Sequence, residues 1–344
     1  MLLQRSFPRA VLALAAAACV WSSASAATTM DAGLVARAKT EGAVTLYSAM
    51  SSQDTDTLVK RFEATYPIVV HVLRVESSQL PAKLAIAARG GTPDADVEIA
   101  PGFQTDQLKK AGLLAMFAVP EDHDFTAGTF DPDGYWSAAY LNTDVLVYNT
   151  QRLKELGLKA PTSWVDLARP EWRGKFALFN GSYEWFATMK KYFGASYGDR
   201  LFAALAANAP VMVSTHQLAL TMTAAGEYAA ALNVYGYDVD RLAHQGQPIA
   251  LVNAEPTVGE INAIAIVKSA PHPNAARLFE RWLLSRDAQA FVVSALGRVS
   301  GRKDVKSNPT IWNPKMRIVI TNPSDSGNYT DFVHAFNATF GISQ

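Results

Sequence analysis

Two tyrosines one residue apart, Tyr235-Gly236-Tyr237, are the side chains of this 344-residue chain that most suggest ligand chemistry. A phenol donates and accepts hydrogen bonds and, when ionised, is a hard oxygen donor. On an extended strand the two rings would share a face, whereas a loop could aim them apart. Hydroxyls gather in Tyr47-Ser48-Ala49-Met50-Ser51-Ser52, which joins a strand to a helix. The free N–H groups at such a helix start favour an anion, so Tyr47, Ser48, Ser51 and Ser52 suit a carboxylate, phosphate or phosphonate; Ser51 and Ser52 suit simple capping equally well. In Pro101-Gly102-Phe103-Gln104, Gly102 permits close backbone approach and Gln104 can hydrogen-bond a ligand, although each residue also fits an ordinary turn. Asn180-Gly181-Ser182-Tyr183 precedes another helix and makes a second anion cradle, with Asn180, Ser182 and Tyr183 as its candidates. Glu255 and Glu260, in EPTVGE, can neutralise an ammonium, hold a metal, or stand as exposed turn acids. None of these loops contains an arginine; Arg74 and Arg298 lie where they could reach in from a strand or loop end.

Catalytic parts are missing. The chain has no H-E-x-x-H, G-x-x-x-x-G-K-[ST] or G-x-G-x-x-G, and its six histidines show no paired metal spacing. Glu121-Asp122-His123-Asp124 reads as a solvated acidic loop, and His71 as a core histidine. No catalytic residue, resident metal or cofactor is assigned. Lysine plus arginine equals aspartate plus glutamate at 31 each, without a basic block, which argues against a nucleic-acid partner.

Residues 1–26 read as a secretory signal, with Arg5 and Arg9, an apolar core Ala10–Val20, and a small-residue cleavage site at Ala24-Ser25-Ala26. Cys19, the only cysteine, falls inside it, so simple export leaves no thiol; lipidation at Cys19 is the alternative. From Gly42 onward, strand and helix patterns alternate. Ala43–Tyr47, Pro67–Arg74 and Asp96–Ala100 read as strands, separated by helical faces such as Leu58, Phe62 and Tyr66. This order predicts a mostly parallel sheet flanked by helices. Further strands are expected at Asp144–Asn149, Ala229–Tyr235, Pro248–Val252 and Ile261–Val267, followed by helix over Pro271–Ala290. In Pro161–Leu178, Thr162 or Ser163 is expected to cap a short amphipathic helix that Trp164 anchors and Pro170 ends.

That last stretch resembles the lobe-crossing signature of bacterial periplasmic solute-binding proteins of the ferric-iron type. GAVTLYSAMSS, GTPDADVEIAPGFQTDQLKKAGLL, TDVLVYNTQRLKELGLKAPTSWVDLARPEWRGKFAL and INAIAIVKSAPHPNAARLFERWLLSRDAQ resemble further family blocks in the right order. The resemblance implies a type II two-lobe α/β fold, each lobe a mostly parallel sheet with flanking helices, joined by crossing strands and closing by hinge bending. It places lobe one at 27–143 and 266–310, lobe two at 144–265, and a C-terminal segment at 311–344 packing on both. It implies a monomeric periplasmic receptor for a small molecule or ion, working with an inner-membrane ABC permease. Iron-binding relatives place adjacent tyrosines in the strand-to-loop region matched by Tyr235 and Tyr237, yet here the second position is Gly236. The relatives' first-loop histidine has no counterpart in Tyr47–Ser52, and Pro101 stands where their glutamate would follow the third strand. The expected cargo is therefore an organic anion, with Fe3+ through Tyr235 or Tyr237 second, and an exported enzyme or sensory module as the reading from another class.

Overall fold

The computed structural model describes residues 30–91, 94–252, 254–312 and 316–343, so the signal sequence and Cys19 lie outside the described residues. Its strands are β1 (Ala43–Ser48), β2 (Val69–Arg74), β3 (Val97–Pro101), β4 (Ser137–Asn149), β5 (Phe176–Phe179), β6 (Val211–Val213), β7 (Ala230–Tyr235), β8 (Ile249–Val252), β9 (Thr257–Ile266) and β10 (Ile318–Ile320). They form one curled sheet in the order β2-β1-β3-β9-β4-β7-β5-β6, with β10 beside β9 and β8 beside β4. Within each half the pairing is parallel, β1 with β2 and β3, and β5 with β6 and β7.

The halves are joined by two long antiparallel strands. β9 pairs with β3 through its C-terminal half, β4 pairs with β7 and β8 through its C-terminal half, and β4 and β9 pair with each other between. The expected strand at Asp144–Asn149 is thus the far end of a strand that begins at Ser137. Both crossing strands are almost wholly buried along their length, which explains why their sequences carry no in-out alternation.

Lobe one packs around Phe62, whose ring meets Phe279 and Trp282 edge-on at 4.8 and 5.1 Å. Lobe two packs around Trp164, Trp185, Phe186 and Phe202. The C-terminal helix Tyr329–Phe340 buries Phe336 against Phe186 in lobe two. The 3-10 turn just before it, Pro323–Asn328, holds lobe one instead, with Ser326 donating to Asp106 and accepting from Lys110 at 2.9 Å.

Several expectations need correction: His71 is exposed on β2 rather than in the core, and the acidic stretch is a 3-10 helix, Pro120–Asp124, whose Glu121 is buried and paired with Arg281 at 2.8 Å. Pro161–Leu178 lies inside lobe two and does not cross between lobes; its helix is a five-residue 3-10 segment, Trp164–Ala168, followed by a second, Pro170–Trp172. Asp166 accepts from the Thr162 and Ser163 N–H groups at 2.8 and 3.0 Å, and Pro170 disfavours helix at Arg169, so no room remains for a full α-helical repeat. Trp164 is an anchor as expected: it is 1% exposed, and its indole N–H donates to the Pro256 carbonyl at 3.0 Å. The helix over Pro271–Ala290 is two helices, Pro273–Leu284 and Arg286–Leu296, because Ser285 is extended and caps the second through the Ala288 N–H.

Candidate functional site

A cavity of about 610 Å3 opens between the lobes above β4 and β9. Helix starts converge on it from both sides. Ser51 caps helix Ser52–Thr65, Gln104 lies in the first turn of Gly102–Lys110, Ser182 precedes Tyr183–Phe193, Thr215 caps His216–Ala224, and Tyr235 precedes Gly236–His244. Each of these helices directly follows a strand or a short strand-end loop, so their N–H groups face the carboxyl edges of the sheet. Among the described residues, Arg74, at the end of β2, is the one permanently cationic side chain in the lining, and it donates to Glu76 at 2.6 Å and to the Met50 carbonyl at 3.2 Å.

Of the residues singled out in the sequence, Ser51, Arg74, Gln104, Ser182, Tyr183, Tyr235, Tyr237 and Glu260 line this cavity. The others lie elsewhere. Tyr47 is buried in lobe one beneath Lys83, and Ser48 is fully buried, exchanging a hydrogen bond with Thr55 at 3.0 Å. Ser52 is exposed on the first helical turn, and Asn180 is exposed with its N–H donating to Val213. Glu255 is exposed and accepts from the Arg317 N–H at 3.3 Å. Gly102 does permit a close approach, but the approaching group is Pro323, 2.7 Å from where a Cβ would stand. Ser51 also caps, accepting from the Asp54 N–H at 3.1 Å, while Ser182 donates to the Phe179 carbonyl at 2.8 Å.

Tyr235 and Tyr237 stack, with ring centroids 5.8 Å apart and planes 21° from parallel. They do so because helix begins at Gly236, which puts them on successive positions of a turn rather than on one strand face. Gly236 is packed so closely that a Cβ there would lie 2.3 Å from the Thr143 hydroxyl oxygen on β4. A second adjacent tyrosine therefore does not fit unless the Thr143 side chain is displaced. Arg298 lies 3.4 Å over the Tyr237 ring.

The floor of the cavity is acidic. Asp144 comes from β4, Glu260 from β9, and Glu184 from the first turn of the Tyr183–Phe193 helix. Burial raises the carboxyl pKa of Asp144 and Glu184 well above the usual range, and neighbouring Glu260 adds to both. Burial pushes Glu260 up to about 7, offset in part by hydrogen bonds from Tyr235 and Asn142 and by the Arg298 charge. Tyr235 is held protonated by its own burial and by Glu260 and Asp144, so it acts as a donor. His216 lies between the Phe179 and Tyr235 rings, each 4.3 Å away, and burial lowers its pKa to about 4. Its Nδ1 lies 2.7 Å from the Asn233 carbonyl, which can only accept, so the proton is on Nδ1 and Nε2 is left as an acceptor. Among the described residues, no group of three or more His, Cys, Asp or Glu side chains is arranged to hold a metal ion.

Asp144, Glu184, His216 and Asn233 were not singled out as site residues from sequence. Asp144 carried a signal: a carboxylate inside the apolar run DVLVYN is costly to bury unless something uses it. A second cavity, of about 590 Å3, lies near β10 beside Trp312 and Arg302. Its Arg302 is already engaged by Asp124, Asp304 and the Leu284 carbonyl.

Two lobes, two crossing strands and a cavity ringed by helix starts define a protein that captures a small solute between its halves. The family model of the bacterial extracellular solute-binding proteins matches residues 57–317, and the chain belongs to that family. An uncharacterised protein of Haemophilus influenzae is 24% identical over 298 residues, covering 82% of this chain and 85% of its own length. The periplasmic binding protein AfuA of Actinobacillus pleuropneumoniae, solved with fructose-6-phosphate bound, superposes with a TM-score of 0.77 at 22% identity, over 88% of this chain and 99% of that one. Iron-bound HitA of Pseudomonas aeruginosa superposes with a TM-score of 0.74 at 21% identity, over 86% and 99%. The expected two-lobed periplasmic-binding-protein fold is thereby confirmed. No helix among the described residues is long and apolar enough to cross a membrane.

Proposed function

We propose that this protein is the periplasmic substrate-binding component of an ABC importer and that its solute is a small organic molecule bearing an anionic group. The observation that carries this reading is the convergence of five helix starts, with Arg74, on the interlobe cavity. Free N–H groups and helix dipoles favour negative charge there without any one residue having to supply it. The solute is bound and released unchanged, and delivery to a membrane permease follows from the family. Ferric ion ranks second, because the space a second adjacent tyrosine would need is filled by Thr143.

The test is a thermal-shift screen of sugar phosphates, phosphonates and carboxylates on the purified mature protein, beside a visible spectrum with ferric ion. A binding anion at a hundredfold excess over Kd should stabilise the fold by about 2.7 kcal/mol. Stabilisation by iron alone, with a tyrosinate-to-iron charge-transfer band, would overturn the anion reading, and turnover of a bound compound would revive an enzyme.

A further inference from the structure

The helix starts account for an anion, but they leave the cavity floor unexplained. Asp144, Glu184 and Glu260 form no ion pair with any described residue; the other two acids in the lining are already neutralised, Glu76 by Arg74 and Asp238 by Arg241, each at 2.6 Å. Asp144 Oδ1 and Glu184 Oε2 are buried without a hydrogen-bond partner. Two neutral side chains lining the same space repeat the pattern: Asn233, 2% exposed, leaves Oδ1 unpartnered, and Gln104, 6% exposed, leaves Oε1 unpartnered. Four orphan acceptors, on lining residues from four separate elements, are not accounted for by packing, and beside them the Trp185 indole N–H is the one unpartnered donor among the described residues of the lining. Buried acceptors normally find donors, and here the missing complement is a group richer in donors than in acceptors.

We infer that the floor formed by Asp144, Glu184 and Glu260 seats an ammonium or guanidinium group, so that the captured solute is a zwitterion. This rests on the reading of the cleft as an anion site: the acidic end of the solute meets Arg74 and the helix starts, and the basic end meets the crossing strands. An ammonium presents three N–H donors, which suits dispersed acceptors; a metal ion needs ligands drawn to one point, and the described acids are not so grouped. Because Asp144 and Glu260 ride on the two hinge strands, the basic end of the solute would contact the part of the fold that joins the lobes.

The experiment is titration calorimetry on the mature protein with matched probes: butyrate against 4-aminobutyrate, propylphosphonate against 3-aminopropylphosphonate, and butylamine alone. The amino member of at least one acid pair should bind about tenfold or more tightly than its partner. Asp144→Asn with Glu184→Gln should abolish that advantage while binding the plain acid as well or better, and Glu184→Gln alone should remove part of it. Arg74→Gln should weaken both members of a pair. Equal or weaker binding of both amino members overturns the zwitterion and leaves the anion site standing. Binding of butylamine with no acid bound overturns the anion site and keeps the basic seat. Silence from every probe, or capture of ferric ion alone, overturns both.

Discussion

At the scale of single residues, Asn233 shows how the site is built. It adopts φ 52°, in the left-handed region, near the end of β7 and opposite an irregularity in the β4 pairing between Val145 and Val147. Most side chains pay about 1–2 kcal/mol to sit there, whereas asparagine and glycine visit it routinely. The kink directs the Asn233 carbonyl to His216, and the side chain borders the cavity with its oxygen unpartnered. Asn233→Val should therefore lower unfolding stability by about 1–2 kcal/mol in urea titrations. Asn233→Gly should keep stability near wild type and weaken ligand binding, which separates the backbone role from the acceptor role. A stability loss as large for glycine as for valine would refute that division. None of this was legible in ALNVYGY, because a single left-handed residue leaves no periodic mark. The tyrosines were legible by type, and their stacking was not.

Among the elements, β3 carries a carboxyl on an otherwise apolar strand. Glu98 is fully buried and accepts from Thr105 at 2.7 Å, and its other oxygen has no partner. Burial raises its pKa to about 8, far above the value it regains on unfolding, with the Thr105 bond opposing the shift. The folded state therefore binds the proton more tightly. Its stability is full below the unfolded pKa of about 4.3 and falls as pH rises toward the folded value. Glu98→Gln, which cannot ionise, should match wild type in melting temperature near pH 4 and exceed it by at least ~2 °C at pH 9. An unchanged difference between those pH values would mean that Glu98 is not the titrating group. Strand identity was legible here because DVEIA is short, β-branched and bounded by turn residues. Helix boundaries were less so: Pro101-Gly102, which looks like a loop opening, starts a helix directly. The two 3-10 segments of Pro161–Leu178 show the converse, since their spacing mimics an α-helical face over too few residues to form one.

For the whole molecule, one side chain ties the parts together. Arg298 donates to Asp54 of lobe one and to Asn142 on β4, each at 2.6 Å, and its guanidinium covers Tyr237 of lobe two. Through Asn142 it also reaches Glu260, linking the hinge to the cavity floor. Removing one partner of a largely buried ion pair costs about 3 kcal/mol, so Arg298→Met should lose about that much in urea unfolding. Lysine at this position should not rescue it, because it lacks the planar fork needed for two acceptors and an aromatic face. Pairing Arg298→Met with Asp54→Asn should recover part of the loss, and strict additivity would count against the link. The sequence alone determined the alternation of strands and helices, the family, and the loops from which Ser51, Gln104, Ser182, Tyr183, Tyr235 and Tyr237 reach the cleft, because period and turn chemistry are local properties of the chain. Only the tertiary structure decided that Asp144, Glu184 and Glu260 share one floor, that Gly236 has no room for a side chain, and that Tyr47 and Ser48 face a core. Those outcomes depend on how β4 and β9 cross between the lobes, which brings together residues more than 100 positions apart.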